Sequence, residues 1–200
     1  MWPGRTSSTP SEGYYRPSLT VEYDEDSAGG DWDFFSGLVR DWERAAWLPP
    51  EVARDVRQVV VRSGVVLGRQ GGAMKLMVWP FWLGLGGPMG SGQQFMPWIH
   101  VDDLSGILAH ALEDRRVAGV LNGVAPAQVT NGEFARALAR SLSRPSVLPP
   151  VPAVVLQALL GTERAVLLLE GQRVIPRRTL QSGYTYLYPE LHTALRDIVS

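Results

Sequence analysis

The sequence predicts an α/β protein in which strand-like and helix-like segments alternate, with an added helix-rich C-terminal lobe. Two observations carry this reading. The run QVVVRSGVVLG (58–68) is β-branched and ends in glycine, the pattern of a strand buried on both faces. Around it lie segments with apolar residues at helical spacing, DFFSGLVRDWERAA (33–46) before it and DDLSGILAHALED (102–114) after it.

Taken in order, residues 1–12 form a Ser/Thr/Pro-rich stretch read as a flexible leader without the apolar core of a secretory signal. In 33–46 the stripe is Phe34, Phe35, Leu38, Val39, Trp42, Ala45 and Ala46, with Asp31 and Asp33 as candidate caps. LPPEVARD (48–55) makes a turn before the strand. GRQGGAMKLMVWPFWLGLGGPMGSGQQ (68–94) reads as a short helix between glycine-rich loops. FMPWIHV (95–101) has strand character. In the helix that follows it, Asp102 or Asp103 is the expected cap, and Leu104, Ile107, Leu108, Ala111 and Leu112 form the stripe. GVLNGVAP (119–126) is a further strand. Thr130 or Asn131 then caps a helix with stripe Phe134, Leu138 and Leu142 that Pro145 ends. PVPAVVLQALLG and GTERAVLLLEGQ are two more helices, followed by a proline-punctuated strand and a last helix from Pro189.

Composition excludes several functions. Lys+Arg 19 against Asp+Glu 20, with no basic run, gives nothing to draw the chain to nucleic acid or anionic lipid. With no cysteine there is neither a disulfide framework nor a thiolate site, and the scattered His100, His110 and His192 do not suggest zinc, so no metal is expected. The most apolar run, 74–87, is too short and too broken to span a membrane. The chain is read as intracellular, cytoplasmic and mitochondrial placements being equally open. The acidic cluster Glu22, Asp24, Glu25 and Asp26 reads as a solvated loop. GLGGPMGSG (84–92) superficially matches a phosphate loop, but a proline interrupts it and no helix opens directly after it.

Six stretches, in order, resemble the extended short-chain dehydrogenase/reductases, and within them the atypical "epimerase family protein" branch. They are GYYRPSLTVEYDEDS (13–27), DFFSGLVRDWERAA, VVVRSGVVLGRQGG (59–72), PWIHVDDLSGILAHAL (97–112), GVLNGVAPAQVTNGEFARALA (119–139) and LLEGQRVIPRRTLQSGY (168–184). The resemblance implies the C-terminal portion of a Rossmann-like fold over 13–144 and a family-specific lobe over 145–200. It further implies an N-terminally truncated form of an NAD(P)-dependent oxidoreductase or epimerase-like protein, inactive alone. The strand–Gly-rich turn–helix unit that holds a dinucleotide pyrophosphate has no counterpart before residue 33. NADP is the implied cofactor and an unidentified small molecule the implied substrate. Half a doubly wound sheet leaves edges uncovered, which favours self-association. The alternative reading is a non-catalytic truncated product that binds a partner or ligand.

The resemblance also sets expectations residue by residue. Registering the family's downstream Glu on Glu43 puts Phe35 at the position of the catalytic Tyr and Val39 at that of its Lys, and neither can move a proton. Tyr14 and Tyr15 fall where a substrate-facing acid could stand, with Ser11 nearby. Phe35, Ser63, Gly64, Val65 and Val66 are the expected cofactor neighbours, Gly64 permitting close approach. Arg62 either grips a substrate carboxylate or phosphate or pairs with Asp102 or Asp103. His100 is a packed histidine or a base. Trp98, with Trp79, Phe81 and Trp82, lines a substrate pocket or fills the core.

Overall fold

The computed structural model describes residues 5–10 (by their backbone), 13–53, 56–69, 71–144 and 150–200. Three parallel strands form the main sheet in the order β1 (Arg5–Pro10), β3 (Gln58–Ser63), β6 (Gly119–Gly123). Arg5 is opposite Gln58, and Val59 is opposite Gly119. The two-stranded pairs β2 (Glu22–Tyr23) with β7 (Arg173–Val174), and β4 (Val65–Leu67) with β5 (Trp98–His100), are also parallel. Parallel pairing of all these strands, with helical crossovers, is the α/β class the alternating pattern predicts.

The first strand corrects the flexible-leader reading for residues 5–10. RTSSTP is β1, and its backbone ladders to β3 over six residue pairs. Ser11 lies outside the described residues.

Helix α1 (Phe34–Ala46) starts where Asp33 accepts the Ser36 amide at 2.6 Å, while the Ser36 hydroxyl accepts the Asp33 amide at 2.9 Å. Its apolar stripe is its buried face only in part. Ser36, Val39 and Glu43 are buried, whereas Phe34 is 79% exposed and Trp42 52%. After α2 (Pro50–Ala53) and β3, the chain turns at Gly64 from the main sheet into β4. A Cβ on Gly64 would stand 2.6 Å from the Pro97 carbonyl oxygen, so only glycine lets the two backbones meet there.

Helix α3 (Gly72–Trp82) leads through the 84–92 segment to β5, which runs directly into α4 (Val101–Glu113). Neither aspartate caps α4. The cap is His100, whose Nδ1 accepts the Asp102 amide at 3.2 Å. Helix α5 (Asn131–Ser141) has the expected Thr130 cap, closed into a capping box by Glu133. Helices α6 (Ala153–Leu160) and α7 (Thr162–Leu169) are separated by Gly161. Pro145 lies outside the described residues.

The C-terminal segment is stitched back onto the rest of the chain. Strand β7 pairs with β2, α8 (Arg177–Gln181) packs on β6, and α9 (Leu191–Val199) on α5. Buried Asp103, at the start of α4, accepts the amides of Leu187 (2.7 Å) and Tyr188 (2.9 Å) and the Tyr184 hydroxyl (3.0 Å). One core, with Val59, Val61, Ile99, Ile107 and Leu121, fills the space between sheet and α4. A larger one, with Leu67, Met74, Trp98, Phe134, Leu138 and Leu195, joins β4, β5, α3, α5 and α9.

Candidate functional site

Strand β3 carries Arg62 inward, and the arginine is 4% exposed. Its Nε donates to Glu43 Oε1 at 2.7 Å and its Nη2 to Glu43 Oε2 at 3.0 Å, a bidentate pair that joins the main sheet to α1. Its Nη1 donates to the Tyr15 hydroxyl at 2.8 Å, and its guanidinium lies 3.5 Å from the Tyr14 ring centroid. Arg62 therefore neither faces a substrate nor pairs with Asp102 or Asp103; every direction of its fork is used inside the fold.

The same cluster removes Tyr15 as a catalyst. It is fully buried, and the single proton of its hydroxyl has Asn122 Oδ1 (3.0 Å) and the Asp24 carbonyl (2.9 Å) in reach. Burial above all pushes its pKa up to about 12, the nearby Arg62 opposing. Tyr14 supplies the face on which Arg62 stacks and packs edge-on against Tyr15. The acidic cluster is a solvated loop only in part: Glu22 and Asp26 are exposed, and Glu25 is not. Glu25 is buried and accepts the amides of Asn122 (3.1 Å), Arg178 (3.0 Å) and Thr179 (3.3 Å), joining β6 to α8.

The other expected site residues separate in the same way. Trp98 is a core residue whose Nε1 donates to the Ala127 carbonyl. His100 is buried, packs against Tyr188 with Asp197 Oδ2 3.4 Å from its Nε2, and caps α4 through Nδ1. Phe81 is core, while Trp79 and Trp82 are exposed. The Gly64 and Val65 amides donate to the Gly123 and Pro97 carbonyls, so these two donors are taken. Ser63 ends β3, Val66 is half-buried within β4, and Phe35 is 39% exposed on α1. In the 84–92 segment the amides of Met89, Gly90 and Gly92 donate to Asn131 Oδ1, the Val151 carbonyl and the Met89 carbonyl. It is a tied connector and not a phosphate cradle.

What the fold does build is a cavity of about 300 Å³ beyond the carboxyl end of β3. Ligands of open parallel sheets bind at that end of the strands. Val65, Met96 and Pro97 form its sheet side, Ala73 and Met77 of α3 one wall, and Val166, Leu168, Gly171 and Gln172 the opposite wall. Trp32, just ahead of α1, and Phe95 complete it. The walls approach closely because residue 171 is glycine: a Cβ there would overlap the Phe95 carbonyl oxygen at 1.9 Å. Of the expected site residues only Val65 lines this cavity. Trp32 and Gln94 were invisible to spacing, because neither stands in a motif and both reach the cavity through tertiary packing.

Comparisons with known proteins fit this geometry. A family model described as a domain of unknown function, DUF1731, matches residues 151–198, which contain the lobe-side wall. The bovine epimerase family protein SDR39U1 is 64% identical over 188 residues, 94% of this chain and 63% of that protein. By sequence, this chain is a relative of the epimerase family proteins. The chloroplastic SDR39U1 homolog of Arabidopsis thaliana is 44% identical over 96% of this chain and 54% of its own length. A crystal structure of human epimerase family protein SDR39U1 (isoform 2) with NADPH superposes at a TM-score of 0.91 with 60% identity, over 97% of this chain and 64% of that one. The chain thus spans about 63% of the length of its bovine relative. No described helix is long and apolar enough to cross a membrane.

Proposed function

We propose that this chain forms the substrate-side half of an NADP(H)-dependent oxidoreductase or epimerase-type protein and does not turn over substrate alone. The observation that carries this reading is the cavity at the carboxyl end of β3, enclosed jointly by Val65, Met96 and the lobe residues Leu168 to Gln172. The human relative's NADPH complex, superposing over nearly all of the chain, supports NADP(H) as the cofactor. The residues present do not fit a whole dinucleotide. Ahead of α1 the described residues hold no strand–Gly-rich turn–helix unit, and the Gly64 and Val65 amides are already engaged. Half-exposed Phe35 is left as an apolar contact for the nicotinamide end. With Phe35 and Val39 in place of a Tyr–Lys dyad, α1 contributes position rather than proton transfer.

A cofactor titration tests the proposal. NADPH fluorescence is expected to show no saturable binding to this chain. Saturable binding is expected once the chain is joined to the segment that precedes the matched region in the bovine relative. Micromolar binding by the chain alone would sink the reading. The exposure of Phe34, Phe35 and Trp42 on α1 favours a second reading, a non-catalytic module that docks a partner or a second copy through that face. Under it the joined protein would bind no NADPH, and sedimentation would find a self-associating chain.

A further inference from the structure

We infer that the cavity beside Val65 takes an uncharged, largely apolar molecule carrying a hydroxyl group, and rejects phosphorylated or nucleotide-linked ligands. The inference rests on the reading of this cavity as the substrate site and sharpens it by ligand class.

Charge decides the first part. Among the described residues lining the cavity, Glu170 is the one ionisable side chain, and it is exposed. No lysine or arginine is among them. The neighbouring Arg173, which stands over the Phe95 ring, directs Nη2 to Glu22 Oε2 at 3.3 Å. A diphosphate placed here would lose its hydration beside a carboxylate with no cation among the described wall residues to repay it. Apolar matter meets no such barrier, because most of the lining surface is apolar, with Val65, Met77, Phe95, Met96 and Leu168 part of it. The two methionines can adapt to an irregular shape. About 300 Å³ suits a ligand of one or two rings.

Two unmet polar atoms set the second part. Gln94 is 3% exposed, and its amide nitrogen donates to the carbonyls of Met89 (3.1 Å) and Leu168 (2.9 Å). That arrangement fixes the orientation of the amide and leaves Oε1, a buried acceptor, without a partner. Trp32 Nε1, a buried donor, has none either. Both residues belong to the cavity wall. Buried polar groups left unpaired cost roughly 1–3 kcal/mol each, so a ligand that satisfies them gains what the empty protein forgoes. A hydroxyl can accept from Trp32 and donate to Gln94, whereas a hydrocarbon can do neither.

The test is calorimetric titration of this chain with three probes: 1-tetralol, its deoxy analogue tetralin, and UDP-glucose. We expect saturable binding of 1-tetralol, at least fivefold weaker binding of tetralin, and none of UDP-glucose. Trp32→Phe keeps an aromatic ring and removes the donor, and should narrow the tetralol–tetralin gap to under twofold. Ala73→Leu fills the wall and should abolish binding without moving the thermal midpoint by more than a few degrees. Equal binding of tetralol and tetralin by the unaltered chain, preference for UDP-glucose, or failure of 1-tetralol to bind overturns the inference. NADPH binding by the joined protein is read separately. Its loss would overturn the proposed function and leave the ligand class standing, and the converse also holds.

Discussion

Arg62 on β3 and Glu43 on α1 form a buried bidentate ion pair at 2.7 and 3.0 Å that fixes the helix against the sheet. With Arg62 4% exposed, removing one partner leaves a charge in a low-dielectric interior. Glu43→Leu should therefore cost about 3–5 kcal/mol in urea unfolding, and Arg62→Met/Glu43→Leu together clearly less than the single change. A double variant as unstable as the sum of its parts would contradict a coupled pair.

This pair also explains why α1 was misread from its sequence. Its apolar residues do recur at helical period, and the helix and its Asp33 cap were legible in that pattern. Which face is buried was not legible, because Glu43 gains its place from an arginine 19 residues away. Helices α4 and α5 were read more fully because their inward residues, Ile107, Ala111, Phe134 and Leu138, are apolar and need no distant partner. Strand β1 failed for the opposite reason: RTSSTP has no strand-like pattern and is held by its backbone ladder to β3. The site followed the same division. Val65 came from a strand end, while Trp32, Gln94 and Gly171 converge only in three dimensions.

Exposure on α1 gives a paired test. Phe34→Ser, at a side chain 79% exposed, should change unfolding free energy by no more than about 0.5 kcal/mol. Val39→Ala, at a buried position packed on Gly13, should cost about 2 kcal/mol. If Phe34→Ser proves the more damaging change, Phe34 and not Val39 marks the face of α1 that packs on the protein.

Gly64 holds a crossing that no other residue permits. Gly64→Ala places a Cβ 2.6 Å from a backbone oxygen of Pro97, and neither backbone is a flexible side-chain end that could swing aside. The thermal midpoint should fall by several degrees, about 1–3 kcal/mol of overpacking in a packed interior. An unchanged midpoint would mean that β4 and β5 can separate there without penalty.

Asp103 gathers the C-terminal segment by accepting from Leu187, Tyr188 and Tyr184. Asp103→Asn keeps the size but turns one end of the acceptor into a donor facing these groups. A loss of about 3 kcal/mol is expected, with chymotrypsin cleaving sooner at Tyr184, Tyr186 or Tyr188. Unaltered cleavage kinetics would show that the packing of α9 on α5 holds this segment by itself.

Alkaline pH should unfold the protein through its buried phenols. Burial, which disfavours phenolate, raises the Tyr15 pKa from 10.0 to about 12, and the folded state therefore holds its proton more tightly than the unfolded chain does. The contribution is fully present below pH 10 and is lost as pH rises toward about 12. It amounts to roughly 3 kcal/mol at most. Tyr184 and Tyr186 act in the same direction, raised first by burial and then by the Asp103 charge. Urea midpoints measured at rising pH should fall steeply over that interval, with tyrosinate absorbance appearing together with loss of helix signal. Tyr15→Phe should be less stable at neutral pH, where its hydrogen bonds are missing, yet fall less steeply above pH 10. An equal alkaline slope in both proteins would assign the transition to other groups.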